Sequence, residues 1–253
     1  MDILQGLKDV FHKKEYELID RYVIRDGKKH PVAIICPGGG YSLVCSFVEG
    51  VPYAEKLNSM GISAVILYYR TGKKAAYPNP QDDLARAVRE VQTRVEEWNI
   101  DMENYSVWGS SAGGHLAASF GTEHMGYRHY GLPKPGCLVL VYPVITMHRD
   151  LTHMGSRDNL LGKDADEHKA SFASIHEHVD ADYPRTFLWC GDADRTVPPE
   201  NSKLMKNALS NAGVAHELVI YPGVDHGVGL ATGTAAEGWI EKAVYFWQGA
   251  REK

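Results

Sequence analysis

The sequence predicts an α/β fold in which helices cover both faces of a mostly parallel, doubly wound β-sheet. Short runs rich in β-branched and aromatic residues recur along the chain, and most are apolar throughout, as expected of strands buried on both faces. Segments with helical periodicity separate these runs, and strands that alternate with helices form right-handed βαβ units. The predicted strands are residues 32–36, 62–69, 105–109, 137–142, 186–190 and 216–221.

The helices and the first edge of the sheet are predicted from local patterns. In the helix predicted over residues 81–98, apolar residues recur at spacings of three and four and form one face. That face consists of Leu84, Val88, Val91, Val95 and Trp98. A last helix is predicted over residues 235–248. Near the N-terminus, YELIDRYVI is followed by the turn sequence DGKK, which predicts an antiparallel edge hairpin.

The size and charge of the chain narrow the classes of function. With 253 residues, 44% of them hydrophobic, the chain can bury a sizeable core, and we expect one domain over residues 1–253. The net charge of −5 supplies no basic patch for phosphates, so nucleic acid is not an expected partner. No apolar stretch is long enough for a signal peptide or a membrane span, which predicts a cytoplasmic protein without a membrane partner. The oligomeric state stays open, homo-oligomers included.

The cysteines do not have the spacing of metal ligands or of a disulfide framework. No CxxC pattern occurs, and three of the four lie in apolar, strand-like runs. We therefore predict reduced thiols in the core, with no metal site and no cofactor. The four residues are Cys36, Cys45, Cys137 and Cys190.

The stretch GSSAGGH, residues 109–115, matches the GxSxG pattern of a nucleophile elbow with Ser111 at its centre. An elbow turns so sharply from strand to helix that side chains on both sides of the nucleophile would collide, and Gly109 and Gly113 remove that collision. The pattern alone also fits a serine that caps a helix. However, YSVWGS is a predicted strand and SAGGHLAASF begins a helix, so Ser111 is the candidate nucleophile and His115 an expected packing residue.

A serine nucleophile needs a base, and the base needs an acid that orients it. In the chain order Ser, Asp, His, both are expected on loops after later strands. The segment TFLWCGDADRTVPPENS offers Asp192 and Asp194; Asp194 is favoured, because Asp192 is close enough to the strand end to cap backbone amides. His226 follows the last predicted strand on a glycine-rich loop and is the candidate base.

The run ICPGGGYS, residues 35–42, leaves a predicted strand as a loop with three glycines. Glycines let backbone N–H groups approach a substrate closely, and the run lacks the GK[ST] of a phosphate-binding loop. Together with the N–H of Ala112, directly after the candidate nucleophile, these amides are expected to bind the oxyanion of an acyl-transfer reaction.

In this order, the motifs PGGGY, GSSAGGH, GDADRTVPPENS and DHG resemble those of the α/β-hydrolase superfamily. Within it, the sequence is similar to small bacterial esterases related to acetyl xylan esterases and feruloyl-esterase-like carboxylesterases. The resemblance covers residues 30–250 and includes YPNPQDDLARAV. It implies an α/β-hydrolase fold, with the triad Ser111, Asp194 and His226 and with oxyanion amides from Gly39, Gly40 and Ala112. Pro37 stands where the HGGG branch has histidine, which leaves open which two glycine amides act.

The resemblance also places a small cap insertion at residues 147–183, which are mostly polar. A solvated surface insertion and a cover over the acyl pocket are both open interpretations.

The implied function is a serine carboxylesterase acting on small-molecule, short-chain acyl esters, with acetylated sugars and xylo-oligosaccharides as candidates. One alternative is an oligopeptidase-like serine hydrolase, although such enzymes usually carry a gating domain for which the chain has no room. The other is a catalytically dead α/β-hydrolase that binds a small ligand.

Overall fold

A computed structural model describes residues 18–249, in which seven strands form one sheet of order β1-β3-β2-β4-β5-β6-β7. The strands are β1 (Ile19–Tyr22), β2 (His30–Cys36), β3 (Ser63–Leu67), β4 (Ile100–Ser110), β5 (Cys137–Val141), β6 (Thr186–Gly191) and β7 (His216–Tyr221). The α-helices are α1 (Ser46–Glu49), α2 (Val51–Ser59), α3 (Asn79–Thr93), α4 (Val95–Trp98), α5 (Ser111–Ser119), α6 (Met154–Leu161), α7 (Glu167–Ala173), α8 (Glu200–Asn211) and α9 (Trp239–Gln248). The N-terminal segment for which no signal peptide is expected lies, up to residue 17, outside the described residues.

The sheet is parallel apart from its first strand. Each neighbouring pair from β3 to β7 runs parallel, which confirms the predicted architecture. The predicted N-terminal hairpin is wrong, because β1 is an antiparallel edge strand whose partner is β3, with Ile19 opposite Leu67. The following strand, β2, cannot pair with β1, since β3 and β4 already occupy its two edges.

Helices cover both faces of the sheet. Successive side chains of a strand point to opposite faces, so one strand contributes to two apolar cores. On β2, Ile34 belongs to a core that includes Leu84 of α3. The adjacent Ile35 belongs to a second core with Leu57 of α2 and Trp239 of α9. This arrangement is the doubly wound sheet that the sequence predicts.

Several elements differ in length from their predictions, and the helix predicted over residues 235–248 begins at Trp239. The strand predicted over residues 105–109 begins earlier, at Ile100. Three of the four residues 101–104 are polar and exposed, so the sequence shows no apolar run there. The single helix predicted over residues 81–98 is two helices, since Arg94 leaves the helical conformation with a ψ of 6°. The second of them ends at Trp98, and the following Asn99 has a left-handed φ of 49°, which asparagine tolerates better than most residues.

The order of the strands reverses around β2. The next strand in the chain, β3, lies on one side of β2, and β4 lies on the other. The ends of β2 and β4 are therefore adjacent, with Cys36 opposite Gly109, and the loops that follow them leave the sheet side by side. Such a switch point forms a crevice at the carboxyl edge, where α/β proteins place their ligands.

Neither a membrane-spanning helix nor a disulfide occurs in the described part of the chain. Within residues 18–249, no helix has both the length and the apolar character needed to cross a membrane. The cysteines are free thiols, three of them buried and Cys45 half-buried. Burial raises the pKa of Cys190 to about 11, so this thiol stays protonated at neutral pH.

Candidate active site

Ser111 lies at the turn between β4 and α5. Its φ of 53° is in the left-handed region, which a serine rarely adopts and which stores backbone strain. The preceding Ser110 points elsewhere, with its hydroxyl 3.3 Å from the Tyr53 hydroxyl in the interior. The two adjacent serines of the motif therefore have different surroundings, and the strained one begins the helix.

The two glycines of the elbow are required by close backbone contacts. A Cβ at Gly113 would lie 2.0 Å from the carbonyl oxygen of Cys36. A Cβ at Gly109 would lie 2.1 Å from the carbonyl oxygen of Gly113. Both distances are far inside van der Waals contact, so the turn forms only without side chains at these positions.

We expect Gly113→Ala to destabilise the protein strongly, because its methyl group must push β2 away from α5 at Cys36. The free energy of unfolding should fall by roughly 3 kcal/mol or more, as measured by urea denaturation. Gly61→Ala is the matched control: a Cβ there would have nothing within 4 Å, so only the left-handed φ of 79° opposes the substitution. Equal losses in the two variants would contradict the steric explanation.

Ser111, His226 and Asp194 form one hydrogen-bonded row. The Nε2 atom of His226 lies 2.9 Å from Ser111 Oγ, and its Nδ1 atom lies 2.7 Å from Asp194 Oδ2. Because a carboxylate only accepts hydrogen bonds, the proton of a neutral imidazole belongs on Nδ1, which leaves Nε2 free to accept the serine proton. The structure thus brings together the three residues selected from the sequence, in a geometry that permits proton transfer.

The carboxylate of Asp194 is fixed at both oxygens. Its Oδ1 atom accepts hydrogen bonds from the backbone N–H groups of Thr196 and Val197, each at 2.9 Å. The rejected candidate Asp192 is exposed and accepts a hydrogen bond from the Gly223 amide instead. The two aspartates therefore have different partners. Asp194 orients the imidazole of His226, and Asp192 connects the loops that follow β6 and β7.

The loop of three glycines lies beside Ser111. A Cβ at Gly38 would be 2.9 Å from the Ser111 Cβ. The Gly38 N–H already donates a hydrogen bond to the carboxylate of Glu49 at 2.7 Å, so it is occupied. Gly39 and Gly40 remain as candidate oxyanion donors from this loop. Ala112 is in the first turn of α5, where backbone N–H groups have no partner within the helix.

Three side chains at the site were not selected from the sequence. The Tyr142 ring packs on the His226 ring with 4.7 Å between centroids, and its hydroxyl donates to the buried Glu49 at 2.7 Å. His153 lies beside the glycine loop, since a Cβ at Gly40 would be 3.4 Å from its Cε1 atom. Tyr142 directly follows β5, at the edge where α/β proteins place functional groups, and this position is a signal in the sequence. Glu49 offers a weaker signal, as one carboxylate in the short run SFVEG.

Residues 147–183 fold against the rest of the molecule. The Arg157 side chain of α6 is fully buried, and its Nε donates to the carbonyl oxygen of Met147 at 3.0 Å. From the same helix, Asn159 donates to the carbonyl oxygen of Gly40 at 2.8 Å. The first helix of this segment therefore contacts the glycine loop, while residues 162–164 and 166–169 are exposed.

His115 lies outside the hydrogen-bonded row, as expected of a packing residue. It is fully buried, with Nδ1 2.8 Å from the Tyr41 hydroxyl and Nε2 2.8 Å from the carbonyl oxygen of Ala173. Burial lowers the pKa of His115 to about 4, so it is neutral at pH 7. Across residues 18–249, no three His, Cys, Asp or Glu side chains are grouped so that they could hold a metal ion.

Known proteins are similar in sequence to most of the chain. The model of the prolyl oligopeptidase family matches residues 66–252. Endo-1,4-beta-xylanase B of Butyrivibrio fibrisolvens is 30% identical over 94% of this chain and 40% of that protein. The acetylxylan esterase of Xylanibacter ruminicola is 31% identical over 78% of this chain and 40% of that protein. The chain thus spans 40% of the length of these curated relatives.

Solved structures show the same fold. The acetyl ester-xyloside bifunctional hydrolase from Caldicellulosiruptor lactoaceticus is 36% identical, with a TM-score of 0.83 over 91% of this chain and 86% of that chain. A carboxylesterase from Lactobacillus plantarum is 23% identical, with a TM-score of 0.77 over 91% of both chains, and is similar in fold. With its mostly parallel seven-stranded sheet and a family match over residues 66–252, this chain belongs to the prolyl oligopeptidase family and has the α/β-hydrolase fold.

Proposed function

We propose that this protein is a serine carboxylesterase that hydrolyses short-chain acyl esters, with acetylated sugars such as acetylated xylo-oligosaccharides as its substrate class. The observation that carries the proposal is the row from Ser111 through His226 to Asp194, with distances of 2.9 and 2.7 Å. Relatives named acetylxylan esterase and acetyl ester-xyloside hydrolase support an ester substrate attached to a sugar.

In the acylation step, Ser111 Oγ attacks the ester carbonyl carbon while His226 Nε2 takes the hydroxyl proton. The negative charge of Asp194 stabilises the imidazolium that forms. The carbonyl oxygen becomes an oxyanion, for which the N–H groups of Gly39, Gly40 and Ala112 are the proposed donors. The bond to the alcohol oxygen then breaks, and His226 returns the proton to the leaving alcohol.

In the deacylation step, water replaces the alcohol. His226 removes a proton from the water as its oxygen attacks the acyl group on Ser111. The same backbone amides stabilise the second oxyanion. Release of the carboxylic acid returns the proton to Ser111. No cofactor enters either step, because both require only proton transfer and stabilisation of charge.

The decisive experiment measures acetate release from acetylated xylo-oligosaccharides by the wild type and by Ser111→Ala. We expect release by the wild type and none by the variant. Labelling by a serine-reactive phosphonate, blocked in Ser111→Ala, tests the alternative of a catalytically dead binding protein. A folded wild-type protein that neither releases acetate nor reacts with the phosphonate would contradict the proposal.

A peptide substrate is the second candidate, because the matched family is that of prolyl oligopeptidases. Ser111 would then attack an amide bond, again with His226 as the base and Asp194 as its partner. Incubation with acetyl esters and with proline-containing peptidyl amides of comparable size distinguishes the two candidates. We expect kcat/KM for the ester to exceed that for the amide by orders of magnitude, and the reverse order would identify a peptidase.

We expect kcat/KM to be highest for acetyl to butyryl esters and to fall beyond about six to eight acyl carbons, since further methylene groups find no pocket surface. The basis is the polar composition of residues 147–183, which supply few large apolar side chains for a lid. The measurement uses nitrophenyl esters of graded length below and above their solubility limits, with no rate increase expected at an emulsion surface. A preference for octanoyl esters would instead indicate that the exposed Leu43 and Val48 hold a long acyl chain.

A further inference from the structure

Glu49, the last residue of α1, is a buried carboxylate with no role in the mechanism described above. Only 4% of its surface is exposed. A carboxylate is costly to bury unless donors satisfy it, and both of its oxygens have one. Oε2 accepts from the Gly38 backbone N–H and Oε1 from the Tyr142 hydroxyl, each at 2.7 Å.

The pattern of donors favours the ionised form of Glu49. A backbone N–H can only donate. The Tyr142 hydroxyl lies 2.7 Å from Glu49 and 3.4 Å from both the Gly229 nitrogen and the Tyr53 hydroxyl, so its proton is directed to the nearest acceptor, Glu49. Both oxygens of an ionised carboxylate are acceptors, so this pair of donors satisfies the charged form fully. Burial raises the pKa of Glu49, while its two hydrogen bonds and nearby His226 act in the opposite direction.

Glu49 connects the two parts of the proposed machinery. Through Gly38 it holds the start of the loop that contains Gly39 and Gly40. Through Tyr142 it reaches the base, because that ring packs directly on the ring of His226. The backbone of Tyr142 has a left-handed φ of 36°, so this ring is presented from a constrained position directly after β5.

We propose that Glu49 is a positioning residue of the esterase reaction, whose carboxylate holds the oxyanion loop and Tyr142 in place and whose charge stabilises the imidazolium of His226. The inference rests on the proposed function. Attraction between opposite charges is strong in a buried site, and this one grows only when His226 takes the proton of Ser111. Glu49 therefore favours the transition state over the bound substrate.

Most of the ionisable groups near this carboxylate are uncharged at neutral pH. Among residues 18–249, the titratable groups that face Glu49 are Cys45, Tyr53, Tyr69, Tyr142 and His226. Burial raises the pKa of the thiol and of the three phenols, so these four groups are neutral at and below neutral pH. His226 is also faced by Asp194 and His153, and burial lowers the pKa of His153. Replacing Glu49 by glutamine thus removes one negative charge near His226.

In Glu49→Gln we expect kcat to fall on the order of tenfold or more, less than the loss of a direct oxyanion donor costs in other enzymes. KM should stay within about twofold, because the lost interaction acts in the transition state. The acid limb of the kcat/KM profile should move to lower pH, because the protonated imidazole loses a nearby negative charge. A purely structural role would leave that limb in place.

Two tyrosine variants accompany this test. Tyr142→Phe keeps the ring on His226 but removes one donor to Glu49, so we expect a smaller fall in kcat, about threefold or more, with unchanged KM. Tyr105→Phe is the matched control, since it removes a buried hydroxyl that donates to the Pro133 carbonyl oxygen at 2.7 Å, in a different part of the fold. Its kcat and pH profile should equal those of the wild type.

Three results would contradict the proposed role of Glu49 or separate it from the proposed esterase function. A folded Glu49→Gln with wild-type kcat and acid limb, or with only a raised KM, overturns the inference. If that variant does not fold, unchanged kcat in Tyr142→Phe overturns it instead. The rate of phosphonate labelling at Ser111 is measured for every variant and needs no ester substrate. A wild type that labels but hydrolyses no ester refutes the proposed function, while a slower labelling rate in Glu49→Gln still supports the role of Glu49.

Discussion

Ser111→Ala is expected to abolish ester hydrolysis while the protein stays folded. Without Oγ, His226 has no nucleophile to deprotonate, and only the oxyanion donors and substrate binding remain. In serine hydrolases, such a loss lowers turnover by roughly a million-fold. Stability should change little or rise, because alanine adds no atoms to the tight turn.

The adjacent Ser110→Ala is the natural control. Its hydroxyl lies 3.3 Å from Tyr53 and makes no contact with His226 in the described part of the chain. We expect turnover within about tenfold of the wild type, since only a weak buried hydrogen bond is lost. Hydrolysis of a nitrophenyl acetate and circular dichroism spectra are measured for both variants. If Ser110→Ala were inactive and Ser111→Ala active, Ser110 and not Ser111 would be the nucleophile.

The second large effect is expected in Asp194→Asn, with a fall in kcat of about a thousand-fold to ten-thousand-fold. An asparagine amide carries no charge to stabilise the imidazolium. When its NH₂ group faces Nδ1 of His226, it also favours the tautomer in which Nε2 carries the proton and cannot accept one from Ser111. The measurement is kcat for acetyl ester hydrolysis, with urea denaturation to establish that the variant is folded at the assay temperature.

Asp192→Asn tests whether this effect is specific to one of two aspartates in the same loop. The Asp192 side chain is exposed, and its hydrogen bond goes to the Gly223 amide. We expect a loss of stability of about 1 kcal/mol or less and kcat close to the wild-type value. Equal and small effects in both variants would mean that the functional carboxylate lies elsewhere.

Local patterns in the sequence were sufficient for the elbow and for most of the sheet. The glycines two residues before and after Ser111 reflect a steric requirement of the turn itself, so they are visible in a seven-residue window. Apolar runs identify buried strands for the same reason, because a central strand is buried on both faces whatever its partners are. Asp194 could be selected because it follows such a run, the buried strand β6, whereas His226 follows the partly exposed edge strand β7.

Local patterns were insufficient where neighbours in space decide the outcome. The partner of β1 depends on which edges of the sheet are occupied, and YELIDRYVI carries no information about that. Likewise, the exposed Asp101 belongs to β4 because Pro31 of β2 lies opposite it, and the register of this pair then shifts before Ser106. The Arg94 break in the helix leaves the apolar spacing unchanged, so periodicity predicts one helix.

The sequence by itself therefore determined the fold class, the elbow and the three candidates Ser111, Asp194 and His226, because strand burial and turn sterics are short-range properties. The tertiary structure alone decided how those candidates meet, across 115 positions between Ser111 and His226. It also decided that Gly38 is occupied and that Glu49 contacts Tyr142 across 93 positions. A buried carboxylate is stable only where the fold brings donors to it, and no spacing along the chain encodes that meeting.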